Sequence, residues 1–257
     1  MSPAPRPALV RFEHVRKAFG ANRVFEDLSL TVERGEVLTL LGGSGSGKSV
    51  LLKLLIGLLP ADDGHIWIEG VDVAGLEEAQ FLDVRRRVSM LFQSSALFDS
   101  LTVGENVAYP LRLRGSFGEA EIRERVADRL ALVGLPGIEA LHPGELSGGM
   151  RKRVGLARAI AADPEMVLYD EPTTGLDPVN TRRIDELILS VRERIGLTSL
   201  VVTHDLASAF LVSDRIAFLH GGRILAVRPA REFRRSDEVT IREFLAAMPG
   251  FEPEARP

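Results

Sequence analysis

The sequence predicts an α/β fold, a largely parallel sheet flanked by helices and joined to an N-terminal antiparallel β part, and three observations predict it. A glycine-rich loop stands between an apolar strand and an apolar helix, helices alternate with short apolar runs from Ser147 to Val212, and the N-terminal third is rich in strand signals. Parallel neighbours require long crossovers, and helices set between short apolar runs supply them.

Taken in order, Leu9 to Val15 and Asp27 to Val32 read as strands, the second from the alternation of Leu28, Leu30 and Val32. Val37 to Leu41 is an apolar strand that enters the glycine-rich run, and Val50 to Leu59 leaves it as a helix. After the turn signal Asp62-Asp63-Gly64 comes a strand at Ile66 to Ile68, and Val88 to Phe92 is another. From about Ser94 to Pro143 strand signals stop. Glu119 to Val133 places Ile122, Val126, Leu130 and Val133 on one helical face ended by Gly134, so this stretch reads as an inserted helical subdomain. Alternation then resumes: helix Ser147 to Ala162, strand Met166 to Tyr169, helix Asn180 to Ile195, strand Leu200 to Thr203, helix Leu206 to Val212. Ile216 to Leu219 and Ile224 to Val227 flank Gly221-Gly222 as a hairpin, and Val239 to Ala247 is a short helix. The expected organisation is one domain over residues 8–230 with 93–162 as the helical insertion, then a short extension over 231–257 with no regulatory domain, and proline-rich ends that fray.

Composition narrows the function classes. The 257 residues are 45% apolar, enough for a large core. Thirty-two basic against 36 acidic residues give a net charge of −4, which speaks against a nucleic-acid partner. With no cysteine there is no disulfide framework and no thiolate metal site. The proline-rich start Met1 to Pro7 has no apolar stretch behind it, so a cytoplasmic chain is expected, held at the inner face of the membrane only through a partner. The basic runs Arg85-Arg86-Arg87, Arg151-Lys152-Arg153 and Arg234-Arg235 read as solvated surface.

The chemistry is carried first by Gly42-Gly43-Ser44-Gly45-Ser46-Gly47-Lys48-Ser49, spaced G-x-x-x-x-G-K-S, with Val50 opening the helix behind it. Such a loop turns successive backbone N–H groups toward phosphate oxygens and adds the positive end of the helix dipole. Lys48 would lie along the β- and γ-phosphates of a nucleoside triphosphate, with Ser49 a magnesium ligand. Met166 to Tyr169 then runs into Asp170 and Glu171, a buried strand tipped by two carboxylates. Asp170 is assigned to the magnesium shell through water and Glu171 to polarising the attacking water as general base. A second anion site is written in Leu146-Ser147-Gly148-Gly149-Met150, where Ser147 caps an amphipathic helix with two glycines at its mouth.

At this point the chain resembles the ATP-binding subunits of ABC transporters, whose signature reads L-S-G-G, most often followed by glutamine; here Met150 follows. The resemblance extends from about Val10 to Val227 and implies roles for further residues. Gln93 looks like the loop glutamine that ligates magnesium and joins core to helical subdomain, Asp177 like the D-loop acid that faces a partner's site, His204 like the switch histidine on the γ-phosphate, and Phe19 like the aromatic that stacks on adenine. In that family the signature of one subunit closes on the nucleotide held by another. ATP and Mg²⁺ are therefore the implied cofactors, and a second ATPase subunit, in a homodimer, together with an integral membrane permease are the implied partners.

The stretch from Met90 to Leu111, together with Met150, is similar to the ATPases of Mla/Mce-type lipid transporters, which pair with an MlaE-type permease and an MCE-domain protein. That similarity implies movement of phospholipid or another hydrophobic substrate across the bacterial envelope. The alternatives are the ATPase of an importer for a small polar solute such as an amino acid, and a soluble ABC ATPase without a permease. Ala96, Leu97, Phe98 and Leu101 are expected either to face a groove for a permease helix or to pack inside the helical subdomain.

Overall fold

The computed structural model of the protein describes residues 7–247, and the proline-rich ends expected to fray lie outside that range. Its elements in chain order are β1 (Ala8–Phe19), β2 (Asn22–Glu33), β3 (Val37–Gly42), α1 (Lys48–Leu55), β4 (Asp63–Ile68), β5 (Val71–Asp72), α2 (Glu78–Arg87), β6 (Val88–Leu91), α3 (Val103–Arg114), α4 (Glu119–Leu132), a 3-10 turn (Pro143–Glu145), α5 (Gly148–Ile160), β7 (Met166–Asp170), α6 (Pro178–Ile195), β8 (Thr198–Val202), α7 (Leu206–Val212), β9 (Arg215–His220), β10 (Arg223–Pro229), α8 (Ala230–Phe233) and α9 (Val239–Ala246). They divide into two compact units, one of the chain up to Phe81 with the chain from Leu200 onward, the other Leu82–Ser199. Among the described residues no helix is long and apolar enough to cross a membrane.

The first unit holds an antiparallel sheet in the order β2-β1-β4-β5. Val10, Phe12 and Val15 of β1 stand opposite Val32, Leu30 and Leu28 of β2. All six are buried, as the period of two requires of a strand with one face on a core. β1 runs on to Phe19, past the expected end at Val15, through a register shift at His14, whose φ is +52°. Gly64 answers that irregularity: its φ is +86° and a Cβ there would stand 2.5 Å from the His14 carbonyl oxygen. Asp62-Asp63-Gly64 therefore marks a close approach of β4 to β1, with the strand starting at Asp63 inside the expected turn.

β3 is buried at every position, which is why it reads as a continuous apolar run. It pairs in parallel with β9, and β9 pairs antiparallel with β10, so the sheet is mixed. α1 and α7 pack on β3. Leu206, Ile216, Phe218, Phe233, Ile241 and Leu245 share one buried cluster, through which the chain following β10 is anchored. α1 stops at Leu55, short of the expected Leu59, because Gly57 with φ +68° turns the chain.

In the second unit β6 and β7 pair in parallel, and α3 packs against α4 and α5. Ile122, Val126 and Leu130 of α4 are buried, as their spacing predicts. Sequence reasoning named neither α2 nor α3. α3 is begun by a capping box, in which the Thr102 hydroxyl accepts from the Glu105 N–H and the Glu105 carboxylate accepts from the Thr102 N–H, and it is ended by Gly115 at φ +67°. Buried Asn106 pins the preceding loop: its amide donates to the carbonyls of Phe98, Leu101 and Thr102, and its oxygen accepts from the Phe98 N–H at 2.8 Å. The run Arg151-Lys152-Arg153 is not the solvated surface expected of it, since Lys152 and Arg153 are buried in α5. The Arg153 guanidinium donates through one terminal nitrogen to the carbonyls of Val133 and Gly134, which offsets part of the cost of hiding it.

Candidate functional site

In the first unit β3 delivers the chain to Gly42, and α1 begins at Lys48 after the loop. Gly47, the N-cap, has φ +101° and no side-chain cap bond, and the first turn carries no acid, so the positive end of the helix faces the loop unneutralised. Only glycine fits there, since a Cβ at Gly47 would stand 2.4 Å from a Val24 methyl and 2.9 Å from the Phe25 ring. A Cβ at Gly43 or Gly45 would meet nothing, so the loop is open on that side. The buried Lys48 ammonium donates to the carbonyls of Gly42 and Gly43, both at 3.0 Å. The Ser46 hydroxyl is buried with no hydrogen-bond partner. An open backbone cradle, a buried cation and an orphaned hydroxyl fit a polyphosphate. Ser44 is exposed, and Ser49 and Val50 are half-buried at the start of α1.

Phe19 ends β1 with 46% of its surface exposed, and the Lys17 ammonium lies 5.3 Å from its ring centroid. Lys17 is itself held by Asp62, whose carboxylate also accepts from the Ala18 N–H, each at 2.6 Å. These bonds, the Lys17 one first, hold the Asp62 carboxyl below its ordinary value. His204 is exposed in the turn between β8 and α7, where the Thr203 hydroxyl accepts from the Asp205 N–H and Asp205 caps α7.

In the second unit β7 ends at Asp170, which is buried, and Glu171 follows at φ +49°. A Glu171 carboxylate oxygen accepts from the Thr174 hydroxyl at 3.0 Å, and the Glu171 carbonyl accepts from the Lys152 ammonium at 3.2 Å. The same ammonium donates to the carbonyl of Gln93, whose side chain is exposed just beyond β6. Burial pushes the Lys152 ammonium below its ordinary 10.5, against the pull of the Asp170 and Glu171 charges. Within this unit Gln93 and Asp170 carry hard oxygen donors of the kind magnesium takes, an ion that accepts one or two carboxylates and leaves the remaining positions to phosphate and water.

Ser147 is the N-cap of α5, its hydroxyl accepting from the Met150 N–H at 3.2 Å while keeping a proton to donate. Gly148 is exposed, and Gly149 is buried against α6: a Cβ at Gly149 would stand 2.7 Å from the Asn180 side-chain oxygen. Asn180 in turn donates to the carboxylate of Asp177, the N-cap of α6, at 2.5 Å. That bond, with the α6 backbone N–H groups, holds the Asp177 carboxyl below its ordinary value. The second unit thus brings Gln93 and Glu171 onto one lysine, and Gly149 and Asp177 onto one asparagine. Sequence reasoning missed Lys152, Thr174 and Asn180 as partners of the site.

Of the apolar residues after Gln93, Ala96 and Phe98 are exposed, and Leu97 and Leu101 are half-buried. Phe98 sits 4.9 Å from the ring of Tyr109 on α3, which is also exposed.

A family model described as ABC transporter matches residues 25–174. The chain is 44% identical over 241 residues to the "Probable ribonucleotide transport ATP-binding protein mkl" of Mycobacterium bovis, covering 94% of this chain and 67% of that protein. It is 43% identical over 217 residues to the "Methionine import ATP-binding protein MetN" of Rhizobium johnstonii, covering 84% of this chain and 60% of that one. To the "Intermembrane phospholipid transport system ATP-binding protein MlaF" of Haemophilus influenzae it is 37% identical over 237 residues, covering 92% of this chain and 90% of that protein. Among solved structures, a dimeric post-hydrolysis state of the ATP-binding cassette MJ0796 bound to ADP and Pi matches with a TM-score of 0.79 at 31% identity, over 86% of this chain and 99% of that one.

Proposed function

We propose, since this chain belongs to the ABC transporter family of ATP-binding subunits, that it energises the movement of phospholipid or another hydrophobic molecule through an MlaE-type permease at the inner face of the membrane. It is an ATPase of that family and works with ATP and Mg²⁺. The single observation that carries the lipid reading is extent: the match to the phospholipid-system relative spans nine-tenths of both chains. The mkl and MetN relatives are longer than the part this chain matches, yet their higher identity keeps import of a small solute as the second reading.

When bound, ATP supplies the γ-phosphoryl group, and magnesium spreads its negative charge. In our reading residues 8–230 form one ATPase domain with 93–162 as its helical insertion. Phe19 stacks on the adenine, the loop Gly42 to Ser49 and the start of α1 at Val50 cradle the phosphates, and Lys48 trades carbonyl oxygens for phosphate oxygens. Ser49, Gln93 and, through water, Asp170 would hold the metal. Glu171 accepts a proton from the attacking water, with its carboxylate turned by Thr174, and His204 donates to the γ-phosphate. Ser147, Gly148 and Gly149 act on the nucleotide of a second copy, near which Asp177 also stands, so hydrolysis releases one copy from the other. Phe98 and Tyr109 offer the permease an apolar foothold. An MCE-domain protein would complete the assembly on the far side of the membrane.

The test is reconstitution of the chain with its permease in phospholipid vesicles. ATP-dependent transfer of a fluorescent phospholipid is expected. ATP-dependent uptake of methionine or a ribonucleotide, with no phospholipid transfer, would replace the lipid reading by the second.

A further inference from the structure

Besides Arg153, two more cations of α5 reach out of their helix onto main-chain carbonyls. Arg158 donates to the carbonyls of Ser95 and Ala96, both at 2.7 Å, and Lys152 donates to those of Gln93 and Glu171. Three of these four carbonyls belong to residues of positive φ: Ser95, Ala96 and Glu171 have φ of +65°, +45° and +49°, a region that side-chain-bearing residues seldom occupy. α5 lies close enough to reach them because residue 155 is glycine, where a Cβ would stand 2.8 Å from a Leu91 methyl and 3.1 Å from the Ser95 Cβ. A lysine with 5% of its surface exposed is tolerated only where acceptors meet its protons, and two are met by these carbonyls.

We propose that Lys152 is a positioning residue for hydrolysis: one buried ammonium, holding the carbonyls of Gln93 and Glu171 together, fixes the backbone from which both side chains project. Lys152 itself takes no proton and touches no substrate. Its effect passes through Gln93 and through Glu171, whose carboxylate also accepts from the Thr174 hydroxyl. Arg158 fixes the loop two residues beyond Gln93, which leaves Gln93 itself to Lys152. The proposal rests on the reading of Glu171 as general base.

Lys152→Met keeps the stem and removes the donors, and Lys152→Arg restores donors. In the full chain, single-turnover hydrolysis by Lys152→Met should fall about ten- to a hundredfold, a part of what a general base contributes. Affinity for a fluorescent ATP analogue should stay within about twofold, and Lys152→Arg should recover most of the rate. In a Glu171→Gln background the methionine should cost distinctly less than in the wild type, because one of the two groups it positions is already gone. Wild-type turnover by Lys152→Met, or the same loss in both backgrounds, overturns the proposal. Should Lys152→Met lose its cooperative melting transition, Lys152→Leu, which also lacks a donor, is judged by the same two criteria. Wild-type hydrolysis by Glu171→Gln alone overturns the base reading beneath it, whereas a slow Glu171→Gln beside a fully active Lys152→Met overturns the strap alone.

Discussion

Glu171 occupies a left-handed backbone conformation that costs a non-glycine residue about 1–2 kcal/mol, and Lys152 and Thr174 hold it there. Strain retained at a carboxylate argues for a role that needs this orientation. Glu171→Gln is isosteric and keeps the acceptor toward Thr174, so it should bind ATP as the wild type does. Its hydrolysis should be slower by about 10²–10⁴-fold, and an ATP-bound dimer should accumulate, seen as a doubled mass by light scattering. A monomeric, fully active Glu171→Gln would remove it from the chemistry. Asp170 and Glu171 were legible because an apolar run ended in two acids. Lys152 was not, because a lysine between two arginines reads as solvated charge, and only the tertiary fold decides that it and Arg153 turn inward while Arg151 stays out.

At the scale of elements, the starts of α5 and α6 meet through one side chain, Asn180, lodged between Gly149 and Asp177. Gly149→Ala would force Asn180 off the Asp177 carboxylate, and should lower stability by about 1–3 kcal/mol in urea unfolding. Asn180→Ala should relieve most of that loss, since it opens the space the new methyl needs. Equal losses with and without Asn180 would show that the contact is not what excludes a side chain there. β2 and the long helices α4 and α6 were readable from periodicity and most other strands from short apolar runs, whereas β5, two residues long, left no such signal. α3 carried its start and stop in Thr102-x-x-Glu105 and Gly115, but Gly104 and Pro110 inside it masked the helical pattern. α2 lacked an apolar face of sufficient strength, with Phe81 and Val84 set among charges.

For the whole molecule, one phosphate loop and one signature per chain mean that each site is completed by another copy, in the reading proposed above. Ser147→Arg and Lys48→Ala should each be inactive alone, the first still binding nucleotide as a monomer and the second binding it weakly. Mixed in equal amounts they should recover about a quarter of the wild-type rate if sites act independently, because half of the dimers then hold one site built from two intact halves. A mixture as inactive as its components would mean that loop and signature serve the same chain. Such a motor must push on something. Asn106 has committed its side-chain amide to the turn that carries Phe98, so whatever seats beside Phe98 and Tyr109 meets a stiff ledge whose shape was settled when the chain folded. Stiffness at a bearing lets a stroke made elsewhere arrive as displacement and not be lost as local give.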